Sequence, residues 1–387
     1  MKRQKEKIST LKHEQMIRTY SSAQVETSYF IGDTESEKEA YERYINSGFV
    51  DPSLVDTRIA SDIEGVAEYD WTKVIDEDLL GGRLDKRFVR LDYKLFDELI
   101  IDIMQNGENT GYVTYLNEQN IRNYGTDAVP KKISAMVKWI KFPDNPADLL
   151  SKFRKVRSEV AASRILSFFK AKTVYNQSCF TDTSNYILSV DFIKPNQRFY
   201  SCRDLQEKCV TNTVSLEKNL EILEQELELL GDTVEQERKG ISAKYNSREI
   251  IEQFIFSYLA RVYLLGDGDF CGRNCGFIVD TTTNEITLAP NYDLELSFHK
   301  LAKLNSRFDA DMRFVAKNYP EVLSGFMEVV ESLSNIDSKK KVPKFKKIIN
   351  KCVPEKEIAE EFSLLICSNI KTLKQKYKEI TNESQLQ

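Results

Sequence analysis

The chain has 387 residues, of which 41% are hydrophobic and 30% charged, and a formal net charge of -5. That length predicts two or three lobes, the composition excludes a disordered chain, and the acidic balance gives no general pull toward nucleic acid. With only His13 and His299 present, histidine-based catalysis and histidine-rich metal sites are nearly removed, and no apolar run is long enough to span a bilayer.

Residues 1 to about 24 start basic (MKRQKEK) and read as a frayed arm or a first helix. A charged helix is predicted from Glu35 to Asn46, and a stronger one from Asp92 to Met104 carrying Leu95, Phe96, Leu99, Ile100 and Ile103. No motif stands out here, and residues 1–115 read as an accessory region, or a cover for the lobe that follows.

Residues 116–195 read as a small β-rich lobe. Tyr124 to Ser134 (YGTDAVPKKIS) lies where a phosphate-covering loop belongs, but its one glycine is Gly125, so Lys131 or Lys132 would have to help as point charges. Ile133 to Pro143 predicts a strand with Lys138 and Lys141 near its end. Glu159, eighteen residues past Lys141, lies beside an apolar face of Val160, Ile165, Leu166 and Phe169. Lys141 and Glu159 form the predicted ion pair, although each alone reads equally as a solvated surface charge. Asn185 to Val190 is a strand, and Asp191 to Asn196 an irregular link, so the main chain around Val190 and Phe192 is where adenine would be gripped.

Residues 196–387 read as mainly helical. Leu216, Leu220, Leu223, Leu227 and Leu230 form a narrow apolar seam ending at Gly231, which packing on its own lobe explains better than a two-heptad coiled coil. Arg248 to Leu265 has apolar residues at helical intervals and predicts a core helix. Further helices are expected near 309–318, 320–333, 344–351 and 355–377. The six lysines of SKKKVPKFKK (Ser338 to Lys347) read as a solvated connector before a helix rather than a nucleic-acid patch.

The chemistry concentrates in Tyr263 to Leu294, YLLGDGDFCGRNCGFIVDTTTNEITLAPNYDL. Asp269 is followed by Asn274, then by a predicted hairpin (Cys275 to Asp280, Glu285 to Ala289) that brings Asp293 back toward them. Phosphoryl transfer from ATP needs these types in this order: a carboxylate to orient a hydroxyl and take its proton, an amide oxygen on one Mg²⁺, and a second carboxylate on the metals. Asp-x4-Asn alone is ordinary turn chemistry; the hairpin, the Tyr-Asp pair and the upstream lysine give it meaning. Seven scattered cysteines, with no signal peptide, predict free thiols in a reducing cytoplasm, and Cys271 and Cys275 read as loop packing.

Over roughly residues 124 to 300 the chain resembles the HipA-type serine/threonine kinases, above all their compact CtkA-like branch. The resemblance rests on Lys-Phe-Pro (Lys141 to Pro143), Ser-Glu-x-x-Ala opening the next helix (Ser158 to Ala162), Leu-Leu-Gly-x-x-Asp-x4-Asn-x-Gly-Phe (Leu264 to Phe277) and Leu-Ala-Pro-x-Tyr-Asp (Leu288 to Asp293). It implies an α+β, bilobed protein-kinase-like fold using ATP and Mg²⁺, with Lys141 on the phosphates, Glu159 positioning it, Asp269 as base, and Asn274 and Asp293 on metal. It also implies a protein substrate, an antitoxin or other regulatory partner, and autophosphorylation on the phosphate loop, for which Thr126 and Ser134 are the candidates. The family commonly has histidine two residues after the catalytic aspartate, where this chain has Cys271, and more glycine in the loop. A degenerate kinase serving as a nucleotide-binding scaffold, and a kinase acting on a lipid or small molecule, are the alternatives.

Overall fold

A computed structural model of the chain describes residues 85–92, 132–141, 147–169, 172–180, 184–190, 192–193, 197–205, 210–238, 241–336 and 342–385. The helix expected at Glu35 to Asn46, all of the Asp92 to Met104 helix past Asp92, and Gly125, Thr126 and Lys131 lie outside these residues. Four antiparallel strands make a first sheet in the order β1-β2-β4-β3: β1 Asp85–Asp92, β2 Lys132–Lys141, β3 Asn176–Phe180 and β4 Ser184–Val190. β1 pairs with β2 from Asp85 opposite Trp139 to Asp92 opposite Lys132. The sheet thus begins upstream of residue 116, where the sequence reading starts the small lobe. Ser134, in β2, faces Arg90 across the ladder.

Helix α1, Ala147–Leu166, packs on β3 and β4. The sequence reading opens this helix at Ser158, but it starts eleven residues earlier. The reason lies in its first turns, ADLLSKFRKVR, where Arg154 and Arg157 break any apolar stripe because their partners are distant in the chain. Arg157 pairs with Glu355 at 2.9 Å, both side chains 0% exposed, and Arg154 pairs with Glu361 at 2.6 Å.

A second sheet, β5-β6-β7, joins Gln197–Ser201, Gly276–Asp280 and Ile286–Leu288. β6 and β7 are the predicted hairpin, with Phe277 opposite Leu288; β5, which pairs with β6 on its other side, falls where no strand is predicted. Close approach explains Gly276, since a Cβ there would lie 2.3 Å from the Tyr200 carbonyl oxygen.

The remaining described elements are helical. After the short α2 (Cys202–Leu205), α3 spans Leu216–Glu237, with the Ser215 side chain accepting from the Lys218 N–H as its N-cap. Its five seam leucines are all buried in the main core, so the seam packs on its own chain. α4 (Ser247–Tyr258) starts at an Asn246 cap and passes without a break into a π-helix, Leu259–Leu264. The change of winding shows in the Leu265 N–H, which donates to the Ala260 carbonyl five residues back. α5 (Phe308–Asn318), α6 (Pro320–Ser334), α7 (Lys344–Cys352) and α8 (Lys356–Gln385) complete it, within a few residues of expectation except that α8 runs eight residues further. One apolar core runs from Ala161 and Phe169 of the α1 region through α3, α4 and the hairpin to Ile380 of α8. No described helix is long and apolar enough to cross a membrane.

Candidate functional site

The loop after the π-helix is organised by a cation that the apolar helix has no other use for. Arg261, 1% exposed, donates from Nε to Asp267 Oδ2 (2.8 Å), from Nη1 to the Asn274 carbonyl (3.0 Å) and from Nη2 to the Asp293 carbonyl (3.3 Å). Asp267, also buried, uses its other oxygen to accept the Asp269 N–H at 2.9 Å. One guanidinium therefore joins the segments carrying Asp269, Asn274 and Asp293. Sequence reasoning missed it, although the signal was present: Arg261 is the lone charge in IIEQFIFSYLARVYLL after Glu252, where burial without a partner would be prohibitive.

Asn274 closes the loop onto Asp269. Its Nδ2 donates to the Asp269 carbonyl (2.8 Å) and to Asp269 Oδ2 (3.3 Å), which aims the amide oxygen Oδ1 the other way. Asp293, on the far side of the hairpin, has φ 53, in the left-handed region that non-glycine residues enter at a cost of about 1 kcal/mol or more. The hairpin and the Arg261 contact to its carbonyl hold it there. Tyr292 is tied back by its hydroxyl, which donates to the Arg273 carbonyl at 2.6 Å.

The lysine opposite this loop is Lys138, which corrects the expected pairing of Lys141 with Glu159. Lys138 Nζ lies 2.7 Å from both Glu159 oxygens and 3.5 Å from Asp293 Oδ1. A pleated strand turns alternate residues to alternate faces, so a helix packed on one face meets only every second position; Lys138 occupies such a position. Lys141 stands three residues on, at the strand end opposite Ser184, and its side chain lies outside the described residues. Burial alone would lower the Lys138 ammonium, but Glu159 and Asp293 outweigh it and hold the group above the ordinary lysine range. Burial likewise raises the Glu159 carboxyl against the pull of Lys138, with Asp293 and Glu295 adding to the rise. Two carboxylates, Glu159 and Asp293, thus share one ammonium, while Glu295 has its own partner in Lys155 at 3.8 Å.

Ser158 gives the Ser-Glu motif a second role. Its hydroxyl donates to the Leu294 carbonyl (2.9 Å) and the Ser297 carbonyl (3.1 Å), so adjacent residues of α1 fix the lysine and the chain just past Asp293. Of the expected nucleotide contacts, Val190 ends β4 with its side chain outside the described residues, while Phe192 stacks on Tyr292 with centroids 5.5 Å apart. The Phe192 ring is thus engaged with the hairpin, leaving only main chain for the adenine role.

Among the described residues no group of three or more His, Cys, Asp and Glu side chains is set to hold a metal. Asn274 Oδ1 and the Asp293 carboxylate, 29% exposed, are hard oxygens of the kind that could hold Mg²⁺. Such an ion takes its remaining ligands from phosphates and water.

No family model matches the chain, and no curated protein matches it. Among solved structures it is similar to the Helicobacter pylori proinflammatory kinase CtkA, at 15% identity and a TM-score of 0.43, over 65% of this chain and 89% of that one.

Proposed function

We propose that the chain is a kinase-like phosphotransferase that uses ATP and Mg²⁺ and delivers the γ-phosphoryl group to a serine or threonine hydroxyl of a protein. The observation that carries this reading is the buried Lys138, gripped by both oxygens of Glu159 at 2.7 Å while reaching Asp293 at 3.5 Å, from a strand 155 residues earlier in the chain. An ammonium fixed by a helix glutamate beside a loop with an Asp-x4-Asn pair is the arrangement that positions and neutralises a triphosphate.

In this reading Lys138 faces the phosphate oxygens, and Glu159 keeps its long side chain from folding away. Asn274 Oδ1 and Asp293 would hold Mg²⁺, which supplies charge neutralisation on the transferring group when bound. Asp269 orients the acceptor hydroxyl and takes its proton; its own carboxylate is steadied by Asn274 Nδ2 and its backbone by Asp267. Arg261 keeps these parts in register, so little reorganisation is needed as charge develops.

Incubation of the purified chain with Mg²⁺ and ATP, followed by intact-mass measurement, tests the reading. A gain of about 80 Da per added phosphoryl group is expected on the chain itself or on an added protein substrate, and none in the Asp269→Asn variant. A wild-type chain that binds ATP but transfers nothing to itself, to protein, to lipid or to small-molecule hydroxyls would reduce the reading to a nucleotide-binding scaffold. Transfer confined to lipid or small molecules would keep the chemistry and change the acceptor.

A further inference from the structure

The end of the β5–β6 ladder sets two cysteines side by side. Its register runs from Gln197 opposite Asp280 to Ser201 opposite Gly276. One step further, where β5 gives way to α2, the Cys202 N–H donates to the Cys275 carbonyl at 2.9 Å, so the two cysteines are neighbours across the end of the ladder. Residues joined by such a backbone bond at the end of an antiparallel pair have Cα atoms about 5.5 Å apart, inside the range of about 4.4–6.8 Å that a disulfide spans. Both cysteines are free, and burial, with the Cys275 and Glu226 side chains close by, holds the Cys202 thiol above its ordinary range.

We propose that Cys202 and Cys275 are a modification site, a cross-strand dithiol that hydrogen peroxide closes to a reversible disulfide, and that closure disables the neighbouring metal-holding residues. The second half rests on the phosphotransfer reading above; the first does not.

Access decides the order of events. Cys275 is 8% exposed and Cys202 0%, so a small oxidant meets Cys275 first, and the bulky disulfides of the cell are kept out. Peroxide converts the Cys275 thiol to a sulfenic acid with release of water: the O–O bond breaks and sulfur is oxidised by two electrons. Cys202 sulfur then attacks the Cys275 sulfur, the S–S bond forms, and the hydroxyl leaves as a second water with the proton from Cys202, for which Glu226 is the adjacent acceptor. Burial holds the Cys202 thiol up, so the response is that of a slow stress sensor and not of a turnover redox centre.

Coupling to the site follows from position. Cys275 is the residue after Asn274. Tyr292, the residue before Asp293, is partly buried, meets the Phe199 ring edge-on at 5.6 Å, and has its hydroxyl bonded to the Arg273 carbonyl. Closing the two thiols to an S–S bond of about 2.05 Å draws Cys275 toward α2. Gly276 cannot absorb the shift, because its backbone already sits against the Tyr200 carbonyl and the Phe199 ring. Displacement is therefore passed to Asn274 and to the Tyr292 ring.

The test uses the full chain, reduced, then treated with hydrogen peroxide, alkylated under denaturing conditions and weighed intact. A loss of about 2 Da, two fewer alkylated thiols, a peptide joining Cys202 to Cys275 and reversal by dithiothreitol are expected. The Mg²⁺-ATP mass gain should slow at least about tenfold in the crosslinked form and recover on reduction. Cys202→Ser, with Cys202→Ala as a second version, should transfer normally when reduced and lose the reversible inhibition. A crosslink that maps to Cys271 and Cys275 instead, or no crosslink at all, overturns the dithiol, and this arm needs no variant. A Cys202–Cys275 crosslink with unchanged transfer overturns the switch. If the reduced chain adds no phosphoryl group, the phosphotransfer reading and the switch fail together, while the mapped crosslink still decides the disulfide.

Discussion

Lys138 and Lys141 stand three residues apart in one strand, and substitution separates them sharply. Lys138→Met removes the cation that Glu159 and Asp293 surround, so the ATP-dependent mass gain should fall on the order of 100-fold or more, the scale of losing one preorganised charge in a closed site. Lys141→Met should stay within about threefold, a change under 1 kcal/mol in the barrier. The opposite ranking of the two rates would return the role to Lys141. His299 supplies a titration. Arg154 Nη1 lies 2.8 Å from its Nε2, so the ring accepts there and keeps its proton on Nδ1. Burial first, and the Arg154 charge second, lower its pKa below the usual 6.5. The unfolded chain therefore takes up this proton before the folded one as pH falls, and the contribution to stability, complete above about pH 6.5, is lost below it. Melting temperatures measured at about pH 7.5 and 5.5 should drop more for the wild type than for His299→Gln; equal drops would remove the ring from the account.

At the scale of elements, α4 and its π-helical extension do more than fill the core, because they carry Arg261 to the loop. Arg261→Met leaves Asp267 buried without its counter-charge and should destabilise the chain by about 3–5 kcal/mol. Adding Asp267→Leu removes the stranded carboxylate and should recover most of that stability. Transfer should stay low in the double variant, since the Asn274 and Asp293 carbonyls still lack their shared donor. Denaturant melts and mass-gain rates on the same samples check this, and a double variant that regains activity along with stability would make Arg261 a folding residue only. The contrast also marks what could be read from the sequence. The hairpin, α4, the α3 seam and α5 to α7 were legible because a periodic apolar face records its own burial within a few turns of chain. The Asp269, Asn274 and Asp293 positions were legible because their spacing is local. The choice of Lys138, the early start of α1 and the β5 strand were not, since each depends on a partner far along the chain: Glu159 for the lysine, Glu355 and Glu361 for α1, Gly276 to Asp280 for β5.

For the whole molecule, the question is whether binding assembles the site or finds it assembled. In protein kinases the helix glutamate and the strand lysine are a controlled contact. Here α1 is tied to the helical part of the chain at every turn near Glu159. Arg157 joins buried Glu355 just before α8, Arg154 joins Glu361 within α8 and the Phe298 carbonyl, and Ser158 joins the Leu294 and Ser297 carbonyls. Ala161, Ala162, Ile165 and Leu166 of the same helix lie in the common core. Swinging Glu159 away from Lys138 would expose a buried ion pair and strip that apolar face together, which makes the displaced state costly. The amides of residues 153–166 should therefore exchange with deuterium about as slowly as those of α4 in the absence of nucleotide, and Mg²⁺-ATP should change them little. Glu355→Ala, which removes the carboxylate paired with Arg157 two residues from Glu159, should speed their exchange and lower the transfer rate together. Fast exchange across α1 in the wild type, slowed only when Mg²⁺-ATP is added, would mean that the ligand, and not the fold, brings Lys138 and Glu159 together.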